Sequence, residues 1–192
     1  MVGAAHPYQT GRRGADELRL FFAIYPPVEV QGVLATAANR LRSSCGGRAV
    51  PAQRIHLTLA FIGPTPRERL EAIIAAASPV TADPFVLSID TLGRFRKTGI
   101  VWAGCSSHEA VSAFADTLHI ALRQAGCALE VRRYVPHITL LRDVSVGISA
   151  HDAVKVQWKV SEFMLMQSIN QGAALVYRPI HVFPVRRASP GI

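Results

Sequence analysis

Hydrophobic and polar residues alternate along several short runs of the chain, a pattern that indicates strands with one buried face. The alternation predicts strands at 17–27, 54–63, 84–95, 99–105, 135–143, 153–168 and 173–185. The spacing between them predicts helices from Val28 to about Ser44, over 66–77 with Pro66 in the first turn, and from a Ser106 or Ser107 cap to about Gln124. Strand-helix-strand units therefore recur in both halves of the chain, which predicts an α+β fold.

Two of these strands contain the same short sequence. "RIHLTLAFIG" at 54–63 and "VPHITLLRD" at 135–143 both contain His-aliphatic-Thr-Leu. Because side chains alternate along a strand, His56 and Thr58 share one face, and so do His137 and Thr139. The aliphatic residues between them face the other way, toward a core. The repetition predicts a duplicated fold in which the two strands face each other across a cleft.

Composition limits the class of protein. The chain has 192 residues, of which 49% are hydrophobic, enough for one domain with a real core. We expect a single domain over 17–187, a flexible tail over 1–16 and a short tail over 188–192. No apolar run approaches the ~20 residues that span a bilayer, and the first residues contain no apolar signal core. These features predict a cytoplasmic protein without a membrane partner.

The cysteines and the charge refine this picture. Cys45, Cys105 and Cys127 lack C-x-x-C spacing, which favours reduced thiols over disulfides or a zinc site. No local signature supports any of them as a nucleophile. The net charge is +8, and most of the basic residues are arginines, whose planar group suits phosphate. The charge favours an RNA or phosphate partner, although base composition of the genome is an alternative source of arginine.

The repeated histidine and threonine supply the groups needed to cleave a phosphodiester. One imidazole can take a proton from the attacking oxygen while the other gives a proton to the leaving oxygen, and neither step needs a metal. Each threonine hydroxyl can donate a hydrogen bond to a phosphate oxygen. A single copy of the motif would be weak support, because a lone histidine in a strand is more often packed or solvated than catalytic. The presence of two copies makes the interpretation strong.

The same residues, with others, resemble the 2H phosphoesterases, specifically the bacterial and archaeal RNA 2′,3′-cyclic phosphodiesterases long called 2′-5′ RNA ligases. The resemblance covers roughly residues 17–186 and rests on LRLFFAIYPP, RIHLTLAFIGPTP, LGRFRKTGIVWAG, RRYVPHITLLRD and EFMLMQSINQGAALVYRPIHVFPV. It implies a bilobal α+β fold of pseudo-twofold duplicated strand-helix-strand units, with antiparallel sheets flanking a central basic cleft. It also implies hydrolysis of an RNA terminal 2′,3′-cyclic phosphate to a 2′-phosphate, with no metal and no cofactor.

Roles follow from the matching positions of the family. The resemblance implies that His56 is the general acid that protonates the 3′ oxygen and that His137 is the general base that activates water. Thr58 and Thr139 would hold the phosphate, and Arg142 occupies the arginine position after the second motif. Strict alternation places Arg142 on the face opposite His137, so its contact requires a bulge or the end of the strand. We expect a monomer that binds RNA ends or small cyclic-phosphate nucleotides.

The other histidines have no His-x-Thr context: His6, His108, His119, His151 and His181. Among the aromatic residues, Tyr134 and Phe95 adjoin arginines and are candidates for base stacking, whereas Trp102 and Trp158 are expected in the core.

Two other functions stay open. The same site could ligate RNA through a reversible 2′-5′ linkage, or the protein could bind RNA or nucleotides without catalysis.

Overall fold

The computed structural model describes residues 17–130, 133–145, 147, 154–172 and 174–187. The predicted tails, with His6, and the loop residue His151 lie outside the described residues. Elements in chain order are β1 (Glu17–Ile24), α1 (Val28–Cys45), β2 (Arg48–Ala49), β3 (Leu57–Pro66), α2 (Leu70–Ala77), β4 (Phe85–Ile89), β5 (Thr91–Phe95), β6 (Ile100–Gly104), α3 (Glu109–Gln124), β7 (His137–Arg142), β8 (Val156–Val160), β9 (Glu162–Gln171) and β10 (Ala174–Pro184). None of the helices within these ranges has the length and apolar character needed to cross a membrane.

An eight-stranded antiparallel sheet dominates the molecule. Its strands follow the order β10-β9-β1-β3-β7-β6-β5, and β2 adds to β7, whereas β4 and β8 pair separately. The predicted α+β fold with antiparallel sheets is confirmed. The two strands that contain the motifs are neighbours at the middle of the large sheet, where Leu57 pairs with Ile138. They therefore adjoin within one sheet, and the cleft lies over the seam between the two halves.

The helices cover one face of this sheet. Leu57, Leu59, Ile138 and Leu140 are fully buried in the main core, as the alternation predicts. The helical side chains in the same core include Leu34 and Leu41 of α1 and Phe114 and Leu118 of α3. Each such buried side chain stabilises the fold by about 1.5–3 kcal/mol relative to an exposed one. The helices leave the opposite face, with both motif histidines, open.

Two of the predicted strands each divide into two. The run 84–95 breaks at Asp90, so that β4 pairs with β8 while β5 pairs with β6. The Asp90 carboxylate accepts a hydrogen bond from the Ser106 backbone N–H at 2.7 Å, which fixes the break. The run 153–168 breaks in the same way at Ser161, between β8 and β9. Alternation indicates extended chain, but it does not indicate where the chain changes its partner strand.

Two predicted helix starts are wrong. Pro66 is the last residue of β3 and pairs with Glu17, so a short 3₁₀ turn over Arg67–Arg69 precedes α2. The sheet pairing extends β3 beyond the point where local preference favours a helix. Neither serine caps α3: the Ser106 hydroxyl donates to Asp90, and the Ser107 hydroxyl donates to Glu109. The predicted C-terminal end of α3 at Gln124 is confirmed.

Candidate active site

One cleft on the open face of the sheet contains all five residues predicted from the sequence. It has a volume of about 1000 Å³. The predicted residues along its wall are His56, Thr58, His137, Thr139 and Arg142. Because Leu57 pairs with Ile138 in antiparallel register, His56 lies on the side of Thr139 and Thr58 on the side of His137. The two motifs are thus arranged head to tail around a local twofold axis.

Backbone carbonyls fix the tautomer of both imidazoles. The Nδ1 atom of His56 lies 2.6 Å from the carbonyl oxygen of Arg54. In the second motif, His137 Nδ1 lies 2.7 Å from the carbonyl oxygen of Val135. A carbonyl can only accept, so each Nδ1 is the N–H donor, and Nε2 is the nitrogen that can exchange a proton. The Thr58 hydroxyl lies 3.1 Å from Nε2 of His56 and donates to it when the ring is neutral.

A β-bulge follows each motif and explains the position of Arg142. In β7, Thr139 pairs with Trp102 and Leu141 with Val101, so Leu140 is an extra residue. The bulge reverses the alternation, which buries Leu141 and places Arg142 on the cleft. Strict alternation requires a bulge or a strand end for Arg142 to reach the cleft, and the bulge is present.

The bulge after the first motif has the same form. Thr58 pairs with Ala23 and Ala60 with Phe22, so Leu59 is the extra residue. A bulged residue leaves its carbonyl without a ladder partner, and a buried carbonyl requires a donor. In β7 the Leu140 carbonyl accepts from the backbone N–H of Val50 at 2.8 Å.

Two side chains fix the first bulge. His119 Nε2 lies 2.8 Å from the Leu59 carbonyl oxygen, and the Tyr134 hydroxyl donates to the Thr58 carbonyl oxygen at 2.9 Å. The two rings also pack edge to face. The suggestion that Tyr134 stacks an RNA base is therefore wrong, because its ring is packed on His119 and its hydroxyl bonds the main chain. His119 likewise has a structural role that the sequence pattern did not indicate.

Aromatic rings surround His56. The ring centroids of Phe21, Tyr25 and Tyr177 lie 5.2, 5.3 and 5.3 Å from the His56 centroid. These contacts were missed from the sequence, because β1 and β10 are distant in the chain from the first motif. The one sequence pattern that bears on these contacts is the alternation in β1, which places Phe21 on the same face as Arg19.

This environment disfavours a charged His56. Burial lowers its pKa to about 4, with a smaller opposing effect from the Arg54 carbonyl and further lowering by the positive charges of Arg142, His137 and Arg54. His56 is therefore neutral at pH 7 in these surroundings. An anion bound beside it would offset both the nearby positive charges and part of the lost hydration, and would raise this pKa.

The surroundings of His137 are different. Phe95 lies with its ring centroid 5.0 Å from that of His137, and Trp102 lies 6.3 Å away. Phe95 also packs on Trp102 at 5.5 Å. Phe95 thus contacts a motif histidine directly. Trp158, by contrast, is buried in the core as predicted.

The cysteines and potential metal ligands contribute little to this site. Burial raises the pKa of the Cys105 thiol to about 11, with a further contribution from Asp90, and burial also raises the pKa of Cys127. Both thiols are thus protonated at neutral pH, which disfavours a thiolate nucleophile. Within the described part of the chain, no three His, Cys, Asp or Glu residues are grouped so that they could hold a metal ion.

Comparison with known proteins agrees with this geometry. The family model described as the 2′-5′ RNA ligase superfamily matches residues 27–171. The chain belongs to the 2′-5′ RNA ligase superfamily. It is 31% identical to the RNA 2′,3′-cyclic phosphodiesterase of Escherichia coli over 169 residues, covering 86% of this chain and 96% of that protein. The family assignment made from the paired motifs is confirmed.

Solved structures of two other proteins have the same fold. The crystal structure of Escherichia coli LigT complexed with 3′-AMP matches with a TM-score of 0.80 and 28% identity, covering 90% of this chain and all (100%) of that one. The TT0787 protein of Thermus thermophilus matches with a TM-score of 0.75 and 27% identity, covering 88% of this chain and 98% of that one.

Proposed function

We propose that this protein hydrolyses RNA terminal 2′,3′-cyclic phosphates to 2′-phosphates by acid-base catalysis with two histidines. One observation carries the proposal: two imidazoles with the same tautomer line one cleft, each with a threonine two residues further on the same face. The names of the relatives, RNA 2′,3′-cyclic phosphodiesterases, support the choice of substrate. The arginines around the cleft suit an anionic ligand.

Each imidazole performs one proton transfer in the proposed reaction. The phosphate binds to the hydroxyls of Thr58 and Thr139 and to the guanidinium of Arg142. His137 Nε2 takes a proton from water as the water oxygen attacks phosphorus. His56 Nε2 gives its proton to the 3′ oxygen as the bond between phosphorus and that oxygen breaks. The products are a 2′-phosphate and a 3′-hydroxyl, with the proton now on His137 and released from His56.

The acid role requires His56 to be charged before the reaction. Its pKa of about 4 leaves little imidazolium at neutral pH before an anion binds. The bound cyclic phosphate carries one negative charge. This charge offsets the effect of the positive charges of Arg142, His137 and Arg54 on the His56 ring. Substrate binding therefore raises the pKa of His56 and recruits the proton that the leaving oxygen needs. Binding and acid activation are coupled.

The proposal includes no metal and no cofactor, because the two imidazoles perform both proton transfers. We place the reaction in the cytoplasm, which is supported by the absence of C-x-x-C spacing among the three cysteines of the sequence. Ligation uses the same site when a 5′-hydroxyl replaces water as the nucleophile. Water is far more concentrated than any RNA end, so hydrolysis dominates.

One assay tests the proposed function. An oligoribonucleotide ending in a 2′,3′-cyclic phosphate is incubated with the protein in EDTA, and the products are resolved chromatographically. We expect conversion to a phosphomonoester at a rate that the chelator does not change. Loss of turnover in EDTA with recovery on adding a divalent ion would overturn the two-histidine mechanism. Binding without any turnover would favour the non-catalytic alternative.

A further inference from the structure

The hairpin formed by β9 and β10 extends beyond its pairing with the rest of the large sheet. Among the described residues, the ladder between β1 and β9 ends at Gln167, whereas β9 and β10 stay paired as far as Gln171 and Ala174. We call this end of the hairpin, residues 168–171 and 174–177, the hairpin arm. The residues of the arm that line the cleft are Ser168, Ile169, Asn170, Leu175 and Tyr177. The arm therefore forms one wall of the cleft without support from a ladder to β1.

Arg54 connects the hairpin arm with His56. The Nη1 atom of Arg54 donates a hydrogen bond to the carbonyl oxygen of Leu175 in the arm, at 3.2 Å. The carbonyl oxygen of the same Arg54 accepts from His56 Nδ1 at 2.6 Å. Tyr177, two residues after Leu175, packs edge to face on the His56 ring with the two centroids 5.3 Å apart. These contacts form a closed chain that runs from His56 through Arg54 and the arm back to His56.

The side chain and the carbonyl of Arg54 act separately. Arg54 ends a short 3₁₀ turn, in which its N–H donates to the Pro51 carbonyl at 2.9 Å and the Ile55 N–H donates to the Ala52 carbonyl at 3.0 Å. This turn fixes the position of the Arg54 carbonyl through backbone bonds alone. A change of the side chain therefore removes the contact with the arm and leaves the acceptor for His56 Nδ1 in place.

The second motif has a different residue at the equivalent position. Val135 precedes His137 by two residues, and its carbonyl accepts from His137 Nδ1 at 2.7 Å. The Val135 side chain is aliphatic and 42% exposed, so it can donate no hydrogen bond to a neighbouring segment. The rings that contact His137 are Phe95 and Trp102, which belong to strands of the sheet itself. A guanidinium that reaches a second segment is thus a feature of the half that contains His56.

We propose that Arg54 is a positioning residue, whose guanidinium holds the hairpin arm, and with it Tyr177, against the ring of the general acid His56. The hydrogen bond at Nδ1 fixes one edge of the imidazole, and the contact with Tyr177 restricts rotation of the ring about that bond. Proton transfer to a leaving oxygen requires Nε2 to be held closely in line with it, and small displacements of a catalytic group lower the rate strongly. The inference rests on the proposed function and adds how the acid is held.

Hydrogen exchange tests the contact without any catalysis. Arg54→Met keeps a long unbranched side chain but removes the donors and the charge. We expect the backbone amides of the hairpin arm to exchange roughly fivefold faster in this variant, the effect of one lost hydrogen bond, while the amides of β7 keep their wild-type rates. Arg67→Met, at an exposed arginine that does not line the cleft, is the matched control. Unchanged exchange in the arm of Arg54→Met would overturn the inference, whether or not the wild type hydrolyses RNA ends.

Steady-state kinetics with an RNA dinucleotide ending in a 2′,3′-cyclic phosphate tests the consequence for the acid. We expect Arg54→Met to lower kcat roughly tenfold and to change KM by less than about twofold, because the phosphate ligands Thr58, Thr139 and Arg142 are untouched. Arg54→Lys should restore most of kcat and the slow exchange of the arm, since an ammonium can also donate to the Leu175 carbonyl. Faster exchange with an unchanged kcat would overturn the positioning role, and so would equal losses in the Lys and Met variants.

An NMR titration of the His56 ring separates positioning from charge. The titratable and charged groups around this ring are Tyr25, Tyr177, Arg54, His137 and Arg142. Burial is the main cause of the low pKa of His56, and the charge of Arg54 contributes less. We expect the pKa to rise in Arg54→Met, because the variant loses a positive charge and admits water beneath the arm. A raised pKa together with wild-type kcat and wild-type exchange in the arm would mean that Arg54 acts by charge alone, which would overturn the inference.

Discussion

His56 and His137 each donate an Nδ1 proton to the carbonyl oxygen two residues upstream, at 2.6 and 2.7 Å respectively. The two imidazoles are therefore equivalent in tautomer and orientation within their motifs. Their surroundings are not equivalent, because three aromatic rings enclose His56. The reaction needs an acid and a base, and this difference in environment distinguishes two otherwise identical groups.

Removal of either imidazole should abolish most of the activity. We expect His56→Ala and His137→Ala each to lower kcat by roughly 10²–10⁴-fold, and the double variant to lose little more, because both groups act in one step. Circular dichroism should show an intact fold, since both side chains line an open cleft. A single variant that retained over half of the wild-type rate would contradict the assignment.

Phosphate should raise the pKa of His56. Burial lowers the pKa of His56 to about 4, and a bound anion stabilises the charged ring. Because the complex then holds a proton that the free protein lacks, phosphate affinity should increase as the pH falls from neutrality toward 4. An NMR titration of the imidazole resonances, with and without a 2′-nucleotide, measures the shift directly. An unchanged or lower pKa in the complex would remove His56 as the acid.

Arg142 should contribute a specific phosphate contact. We expect Arg142→Ala to weaken the binding of an RNA 2′-phosphate and to reduce the slope of log affinity against log salt by about 0.7, the value for one lost contact with a single strand. Arg186→Ala changes an exposed arginine after β10 that does not line the cleft, and it serves as the control. Equal effects of the two substitutions would reduce the role of Arg142 to bulk charge.

The bulge after the first motif should depend on Tyr134. Tyr134→Phe removes the hydroxyl that donates to the Thr58 carbonyl, which should cost about 1 kcal/mol of unfolding free energy and lower Tm by about 2–4 °C. Because Thr58 holds the phosphate in our mechanism, we also expect kcat to fall while the KM changes little. Thermal unfolding and steady-state kinetics on the same preparation check both effects. A loss of stability with unchanged kcat would show that the hydroxyl supports only the fold.

The sequence predicted the motifs and their faces, because alternation along a strand is a local property. Arg142 shows the limit of this reasoning: alternation placed it on the wrong face, and a bulge that depends on the pairing of β7 with β6 returned it to the cleft. Tyr134 shows another limit. Its position beside arginines suggested base contact, whereas the fold brings it to the backbone of a strand 76 residues away along the chain.

The breaks at Asp90 and Ser161 have the same origin. Residues on both sides of each break favour extended chain, so no local signal distinguishes one long strand from two strands in different sheets. The pairing partners are determined by contacts between β4 and β8 and between β9 and β1, which are remote in sequence. The aromatic rings around His56 were missed for the same reason.

The identity of the product tests the central claim most directly. A cyclic phosphate has two ester bonds, and water enters opposite the one that breaks, so the positions of base and acid determine the product. Phosphorus NMR of the reaction of an RNA 2′,3′-cyclic phosphate in EDTA distinguishes the two isomers. With His137 as base and His56 as acid, we predict a 2′-phosphate with a free 3′-hydroxyl. A dominant 3′-phosphate would contradict the assignment of acid and base.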